Sequence, residues 1–244
     1  MRNVWIIAKR EIGGYFATPL AYIFIAIFSA LTAAFAFYLG GFFERGQADL
    51  QPFFDHHPWL LVLLVPSLAM RLWAEERKSG SVELLMTLPV TTSEAVIGKY
   101  VAAWLMMAVA LAVTAPMWIT VNYLGSPDNG VIAAAYFGSW LLAGAFLAIG
   151  AAISASTKNQ VIAFVVATAA CFVFVMSGLE SVLQAFDDWL PRFVILAISS
   201  MSFLNHYDQL AKGVIELKSI VFFLSMIAFW LFANIVIIDQ KKTS

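Results

Sequence analysis

The chain has 244 residues, of which 62% are hydrophobic and 12% are charged, and its mean hydropathy is +0.86. The charged fraction is about half that of a soluble domain, so the composition predicts a membrane protein. The formal net charge of -1 argues against a nucleic-acid-binding surface, and the single cysteine cannot form a disulfide within the chain.

Residues 1–18 precede the first long apolar run and mix charged with apolar side chains. Trp5, Ala8 and Ile12 fall near one face of a helix, while Lys9 lies elsewhere. This pattern predicts a helix that lies in the membrane interface. A second interpretation stays open, in which these residues are only the irregular start of the first membrane span.

Six stretches are predicted to cross the membrane, because a helix needs about 20 mostly apolar residues to span the hydrocarbon core. The second stretch is short and qualifies only if Arg71 extends to the interface, with Trp59 and Trp73 marking its ends. The six predicted spans cover residues 19–43, 58–74, 100–125, 131–157, 159–179 and 219–238.

The stretch between the fifth and sixth spans, residues 180–218, contains an apolar run from Phe193 to Leu204 that is too short to cross. It is therefore predicted to form a re-entrant or interfacial hairpin on the outer side. No internal repeat and no flexible linker interrupt the chain. The sequence thus predicts one all-α membrane domain over residues 1–244.

The basic residues predict the orientation of the spans. Six spans put both termini on one side, and ten basic residues then lie on the side of the termini against four on the other. Under the positive-inside rule this bias predicts cytoplasmic termini. The ten are Arg2, Lys9, Arg10, Arg71, Arg77, Lys78, Lys99, Lys158, Lys241 and Lys242, and the four are Arg45, Arg192, Lys212 and Lys218.

No energy source for active transport is visible in the sequence. Gly98-Lys99 lacks the earlier glycine of a phosphate-binding loop, and the centres of the predicted spans carry no ionisable residue. His56, His57 and His206 are interpreted as polar residues of outer loops rather than metal ligands. We therefore expect no catalytic residue, metal or cofactor in this chain, and any work must come from another polypeptide.

A polar segment between the second and third spans, residues 75–98, is the most informative part of the sequence. Gly80 allows a sharp turn, and Pro89 ends the short apolar helix that is predicted between them. Thr91-x-x-Glu94 is a capping-box pattern that starts the next helix. The apolar face of the short helix must be covered, either by the bilayer and the chain's own helices or by a groove on a partner.

Small residues recur every four positions in the fourth span at Gly144, Ala148 and Ala152. They share one helix face and predict a site of close helix packing. The spacing alone leaves open whether the neighbouring helix belongs to the same subunit or to a second one.

The order of these elements, together with Glu76-Arg77, Gly80, Glu83-Leu84-Leu85, Leu88-Pro89-Val90 and Gly98-Lys99, resembles the permease subunits of type-2 ABC exporters. The likeness covers nearly the whole chain. The segment 202–214 looks like the gliding-motility-type and copper-maturation-type branches of that family.

The resemblance implies three groups of functional residues. The coupling helix that receives the motion of the ATPase would comprise Glu83, Leu84, Leu85, Met86, Leu88 and Pro89. The gate region beneath the second span would comprise Glu75, Glu76, Arg77, Lys78 and Gly80. A second contact with the ATPase would comprise Trp5, Lys9, Arg10 and Lys158.

The resemblance also implies the partners and the location. Two copies of an ABC ATPase would bind ATP and Mg²⁺, a second permease subunit would complete the pore as a homodimer or heterodimer, and an outer-domain protein is a further possible partner. The complex would lie in the bacterial inner membrane. The rival hypothesis is a passive channel or a membrane scaffold that docks a cytoplasmic partner without using ATP.

Overall fold

The computed structural model describes residues 2–80, 89–185 and 191–242. This part of the chain folds into helices and contains no strand, which confirms the predicted all-α class. The helices are α1 (Arg2–Ala17), α2 (Pro19–Ala34), α3 (Gln51–Phe54), α4 (His57–Ala69), α5 (Arg71–Ser79), α6 (Thr92–Val113), α7 (Ala115–Leu124), α8 (Asn129–Ser156), α9 (Gln160–Met176), α10 (Glu180–Ala185), α11 (Arg192–Ser200), α12 (Phe203–Ala211) and α13 (Leu217–Lys242), with a π-helical turn at Phe35–Leu39.

Within the described residues, five helical segments are long and apolar enough to cross a membrane, by length and composition. The chain is therefore a multi-pass membrane protein. The segments are Pro19–Leu39, Gln51–Ser79, Thr92–Leu124, Asn129–Ser156 and Leu217–Lys241.

The predicted spans differ from these helices mainly at their ends. The first segment stops at Leu39 instead of residue 43, whereas the second runs from Gln51 to Ser79 because its charged end stays helical. The fifth predicted span, 159–179, is reduced to α9, whose 17 residues measure about 26 Å and fall short of the other five. The described part of the predicted hairpin, 180–218, contains α10, α11 and α12.

Helix α8 is the centre of the molecule. It is the most buried of the spans and packs against α4, α5, α6, α9, α12 and α13. Glycines let three of these neighbours approach: a Cβ atom would lie 2.8 Å from Leu210 at Gly138, 2.6 Å from the Trp104 indole at Gly144, and 2.5 Å from Ala69 at Gly150. The core therefore depends on small residues around α8.

Two histidines interpreted from the sequence as loop residues lie inside helices. His57 is fully buried, its Nδ1 lies 2.8 Å from Ser139 Oγ, and that oxygen lies 3.2 Å from the Tyr207 hydroxyl. His206 is also buried and stacks on Phe222 at 4.0 Å. The loop interpretation was wrong because polar partners on distant helices satisfy these rings inside the bundle.

Candidate functional site

A buried ion triad lies where α1, α5 and α6 meet. Lys99 is 2% exposed, and its Nζ lies 2.6 Å from Glu76 Oε1 and 3.2 Å from Glu11 Oε1. The same ammonium sits 5.4 Å from the centre of the buried Trp73 ring. Since each carboxylate comes from a different helix, one lysine on α6 fixes both α1 and α5.

The electrostatics around Glu11 favour its charged form. Burial by itself raises the pKa of Glu11, but the Lys99 ammonium opposes this effect. Arg10, whose Nη2 lies 2.8 Å from Glu11 Oε1, also lowers this pKa. The net result is a pKa of Glu11 below its ordinary value. Glu11 is therefore held as a carboxylate although it is largely buried.

Helix α1 is also attached to α6 through apolar and polar contacts. Gly98 of α6 lies so close to α1 that a Cβ atom at this position would be 2.8 Å from the Ile7 side chain. At the start of α6, Asn3 Nδ2 donates to the Glu94 carboxylate at 3.1 Å. Glu94 and Thr91 form the predicted capping box, which the structure confirms. The first helix is thus packed on this end of the bundle along its length.

A second set of hydrogen bonds joins α5 to α8. Ser154 Oγ accepts from the backbone N–H groups of Trp73 and Ala74 and donates to the Met70 carbonyl at 2.8 Å. These N–H groups lie in the first turn of α5, where a helix has no partners of its own to offer them. Arg77 Nη1 donates to the Ala155 carbonyl at 2.6 Å, so both ends of α5 are bonded to α8.

The last helix closes the same end. Thr92 Oγ1 donates to Asp239 Oδ1 at 2.6 Å, and Lys241 Nζ donates to the carbonyl oxygens of Ala155 and Ser156. Helices α5, α6, α8 and α13 therefore meet with α1 in one polar assembly, which we call the polar end. Its side-chain and backbone bonds connect residues that are far apart in the sequence.

The residues predicted for the gate region form part of the polar end. Glu76 belongs to the ion triad and Arg77 contacts α8, whereas Glu75 and Lys78 are exposed. Gly80 has φ +74° and ends α5, as expected from the absence of a side chain. Glu76 and Arg77 therefore form an inner pair that bonds other helices, and Glu75 and Lys78 form an outer pair that is exposed.

The residues predicted to contact an ATPase have different positions. Of the coupling residues, Pro89 is exposed, and the others lie in 81–88, outside the described residues: Glu83, Leu84, Leu85, Met86 and Leu88. The second group, Trp5, Lys9, Arg10 and Lys158, is exposed at the polar end. The packing residues Gly144, Ala148 and Ala152 are buried in α8, and Gly144 faces Trp104 of the same chain.

Sequence reasoning missed the centre of this assembly. The sequence places Lys99 on the cytoplasmic side and in the Gly98-Lys99 pair, and it suggests no contact for Lys99, Glu11, Asn3 or Ser154. No local spacing links Lys99 to Glu11, because their helices meet only in the folded chain. The one available signal is that Lys99 stands between Gly98 and Tyr100, in a segment that is otherwise apolar.

Long apolar helices around a buried core and a charged assembly at one end define a multi-pass membrane subunit. The family model described as ABC-2 family transporter protein matches residues 20–238, so the chain belongs to that family. It is the membrane-embedded permease subunit of an ABC transporter, and the family implies an ABC ATPase as its partner. No curated protein matches the sequence.

Proposed function

We propose that this chain is the permease subunit of an exporter and that its ATPase partner docks on residues 75–98. In this proposal the partner binds ATP and Mg²⁺, and the chain itself carries no cofactor. The coupling helix is the segment from Glu83 to Leu88, as the family resemblance implies. The observation that carries the proposal is the contact of Lys99 with both Glu11 and Glu76.

The contact of Lys99 with Glu11 and Glu76 supports coupling because it connects α1, α5 and α6 at the polar end. In sequence, residues 81–88 connect α5 to α6, and Lys99 of α6 is paired with Glu76 of α5. A force applied to the segment would therefore act on α5, α6 and α1 together. Rigid connected elements of this kind are what transmit a conformational change between sites.

Exposed residues at the polar end also support docking. Trp5 is 60% exposed on α1, and Lys9, Arg10 and Lys158 are exposed at the same end. An exposed aromatic side chain and an exposed arginine suit a protein interface, in which aromatic and arginine side chains are enriched. We propose that this surface is the second contact with the ATPase.

The remaining parts of the proposal follow from the orientation and the resemblance. The excess of basic residues on one side favours cytoplasmic termini in the bacterial inner membrane. A second permease subunit and two ATPase copies complete the complex, and an outer-domain protein is a further proposed partner. The resemblance of 202–214 favours the gliding-motility-type or copper-maturation-type branch.

The test is a reconstituted complex with a charge change on the coupling segment. The full chain is purified in mild detergent with its ABC ATPase partner, and ATP hydrolysis is measured in proteoliposomes. The variant Glu83→Lys with Leu85→Asp is expected to abolish permease-dependent hydrolysis while leaving the chain inserted. A matched control, Lys218→Glu, changes a charge at the opposite end and is expected to leave hydrolysis at the wild-type rate.

Wild-type hydrolysis in the double variant would overturn docking on residues 75–98. Recovery of a folded chain that neither binds nor stimulates any ATPase would favour the rival hypothesis of a passive channel or scaffold. The two outcomes differ, because the first leaves an active complex and the second leaves none.

A further inference from the structure

A cavity of about 290 Å³ lies at the end of the bundle opposite the ion triad. It is bounded by the segment that leads into α3, the start of α8 and the end of α12. The walls are mainly apolar, and three charged side chains also line the space. The apolar lining includes Leu50, Phe54, Pro127, Val131, Ile132 and Ala211.

The position of the cavity along α8 places it at the level of lipid headgroups. Helix α8 has 28 residues and is about 42 Å long, which matches a bilayer with its headgroup regions rather than the hydrocarbon core alone. The polar end contacts Ala155 and Ser156, at the C-terminal end of α8. The cavity is lined by Asp128, which caps the other end of that helix.

Lys212 supplies the positive charge of the cavity. Its side chain is exposed and makes no hydrogen bond or ion pair with the residues that the structure describes. The carboxyl groups of Asp55 and Asp208 lie near enough to interact with it electrostatically. The ammonium is therefore positioned beside the cavity but remains available to an anionic group.

Two carboxylates line the same space. Asp128 uses Oδ1 to accept from the backbone N–H groups of Gly130 and Val131. Asp49 uses Oδ1 to accept from the Gln51 N–H at 3.0 Å, and Oδ2 lies 3.7 Å from Arg45. Each carboxylate keeps lone pairs that can accept from a ligand.

We propose that this cavity binds the headgroup of a zwitterionic phospholipid that carries a primary ammonium, that is, a phosphatidylethanolamine. The phosphate pairs with Lys212, the ammonium donates to Asp128 and Asp49, and the glycerol end lies against the apolar wall. A purely anionic headgroup has no cation to pair with the two carboxylates and is therefore disfavoured. A choline headgroup has the charge but no N–H to donate.

This binding site does not depend on the proposed docking of an ATPase, since it lies at the other end of the molecule. A lipid bound there contacts the residues around α3, α8 and α12 and so holds these helices together. The apolar wall and the headgroup depth favour a membrane lipid over a free phosphoethanolamine molecule, and the experiment separates these two sources.

The experiment measures lipid binding to the purified full chain in detergent by native mass spectrometry. Dioctanoyl phosphatidylethanolamine, phosphatidylcholine and phosphatidylglycerol are added separately at equal concentrations. The ethanolamine lipid is expected to bind about tenfold more tightly than either of the others, the effect of one charge-assisted hydrogen bond. Free phosphoethanolamine is then added as a competitor and is expected to displace little of the bound lipid.

Two variants on different elements test the assignment of the charges. Asp128→Asn keeps the helix cap, because Asn caps as well as Asp, but removes the carboxylate. Lys212→Gln removes the ammonium. Each is expected to reduce the preference for the ethanolamine lipid about tenfold. Glu216→Gln and Lys218→Gln remove neighbouring charges that do not line the cavity and are expected to keep the preference.

Equal binding of the three lipids would overturn the proposal, as would an unchanged preference in both cavity variants. Tighter binding of phosphatidylglycerol would show an anion site and would overturn the role of the carboxylates. Full displacement by free phosphoethanolamine at the same concentration would overturn the choice of a lipid as the ligand. Circular dichroism of each variant verifies that the chain is folded before its binding is compared.

Discussion

The two ends of the helical bundle hold their lysines in opposite ways. Lys99 at the polar end is 2% exposed and contacts the carboxylates of Glu11 and Glu76. Lys212 at the cavity end is exposed and has no such partner in the described part of the chain. A buried charge must have partners and so fixes the helices that supply them, whereas an exposed charge is free to bind something else. The comparison separates a structural cation from a recognition cation.

The largest expected effect comes from removing the structural cation. Lys99→Met leaves two carboxylates in a partly buried site without their ammonium, and the loss of one partner of a buried pair costs about 3–5 kcal/mol. We expect the free energy of unfolding, measured by loss of helicity in a denaturant titration, to fall by that amount. Limited proteolysis should also cleave at α1 earlier than in the wild type.

The control for this variant is Lys78→Met, which removes an exposed lysine from the nearby helix α5. Its unfolding free energy is expected to stay within about 0.5 kcal/mol of the wild type. Equal destabilisation by the two variants would contradict the structural role of Lys99.

The second effect tests whether the polar end is fixed by hydrogen bonds as well as by charge. Ser154→Ala removes a buried hydroxyl that serves Met70, Trp73 and Ala74. Buried backbone groups that lose a partner cost about 1–3 kcal/mol, so the unfolding free energy should fall by that much. Ser156→Ala, on the same helix but exposed, is the matched control, and a loss as large as that of Ser154→Ala would refute the distinction.

A third, smaller effect is the pH dependence that Glu11 contributes. Its pKa in the folded chain is lowered from an ordinary value of 4.5, so its contribution to stability is complete above about that pH. The contribution is lost as the pH falls through the lower folded pKa. We expect the wild type to lose more stability than Glu11→Gln in acid, as measured by unfolding at a series of pH values. Parallel curves for the two proteins would disprove this linkage.

The smallest effect is expected for the recognition cation. Lys212→Met in lipid-free detergent should change the unfolding free energy by no more than about 0.5 kcal/mol, because the side chain is exposed and bonded to no described residue. The same titration used for Lys99→Met measures it. A loss comparable to that of Lys99→Met would abolish the contrast between the two ends.

Local features of the polar end could be predicted from the sequence. The turn at Gly80 and the capping box of Thr91 and Glu94 depend on residues a few positions apart, and both are present. The all-α class and most of the spans follow from long runs of apolar residues, which are visible in the order of the sequence. Helix ends were less predictable, since the first span ends at Leu39 rather than residue 43 and the second begins at Gln51 rather than residue 58.

The contacts that make the two candidate sites could not be predicted in this way. Lys99 meets Glu11 only because α1 folds back on α6, and His57 is buried because Ser139 on α8 offers it a partner. Asp49, Asp128 and Lys212 stand in three separate loops of the sequence and share a cavity only in the folded bundle. Such juxtapositions depend on packing, about which local patterns carry no information.

The central place of α8 has a consequence for how the protein is made. Three helices that pack on α8, namely α9, α12 and α13, follow it in the chain, and α13 is synthesised after the other two. Until α13 is made, the side of α8 that packs against α13 lacks the neighbour that covers it. A chain truncated before Leu217 would therefore present an unfilled helix surface, which is the kind of defect that membrane quality control removes. Synthesis of α13 is thus the step that covers this side of α8.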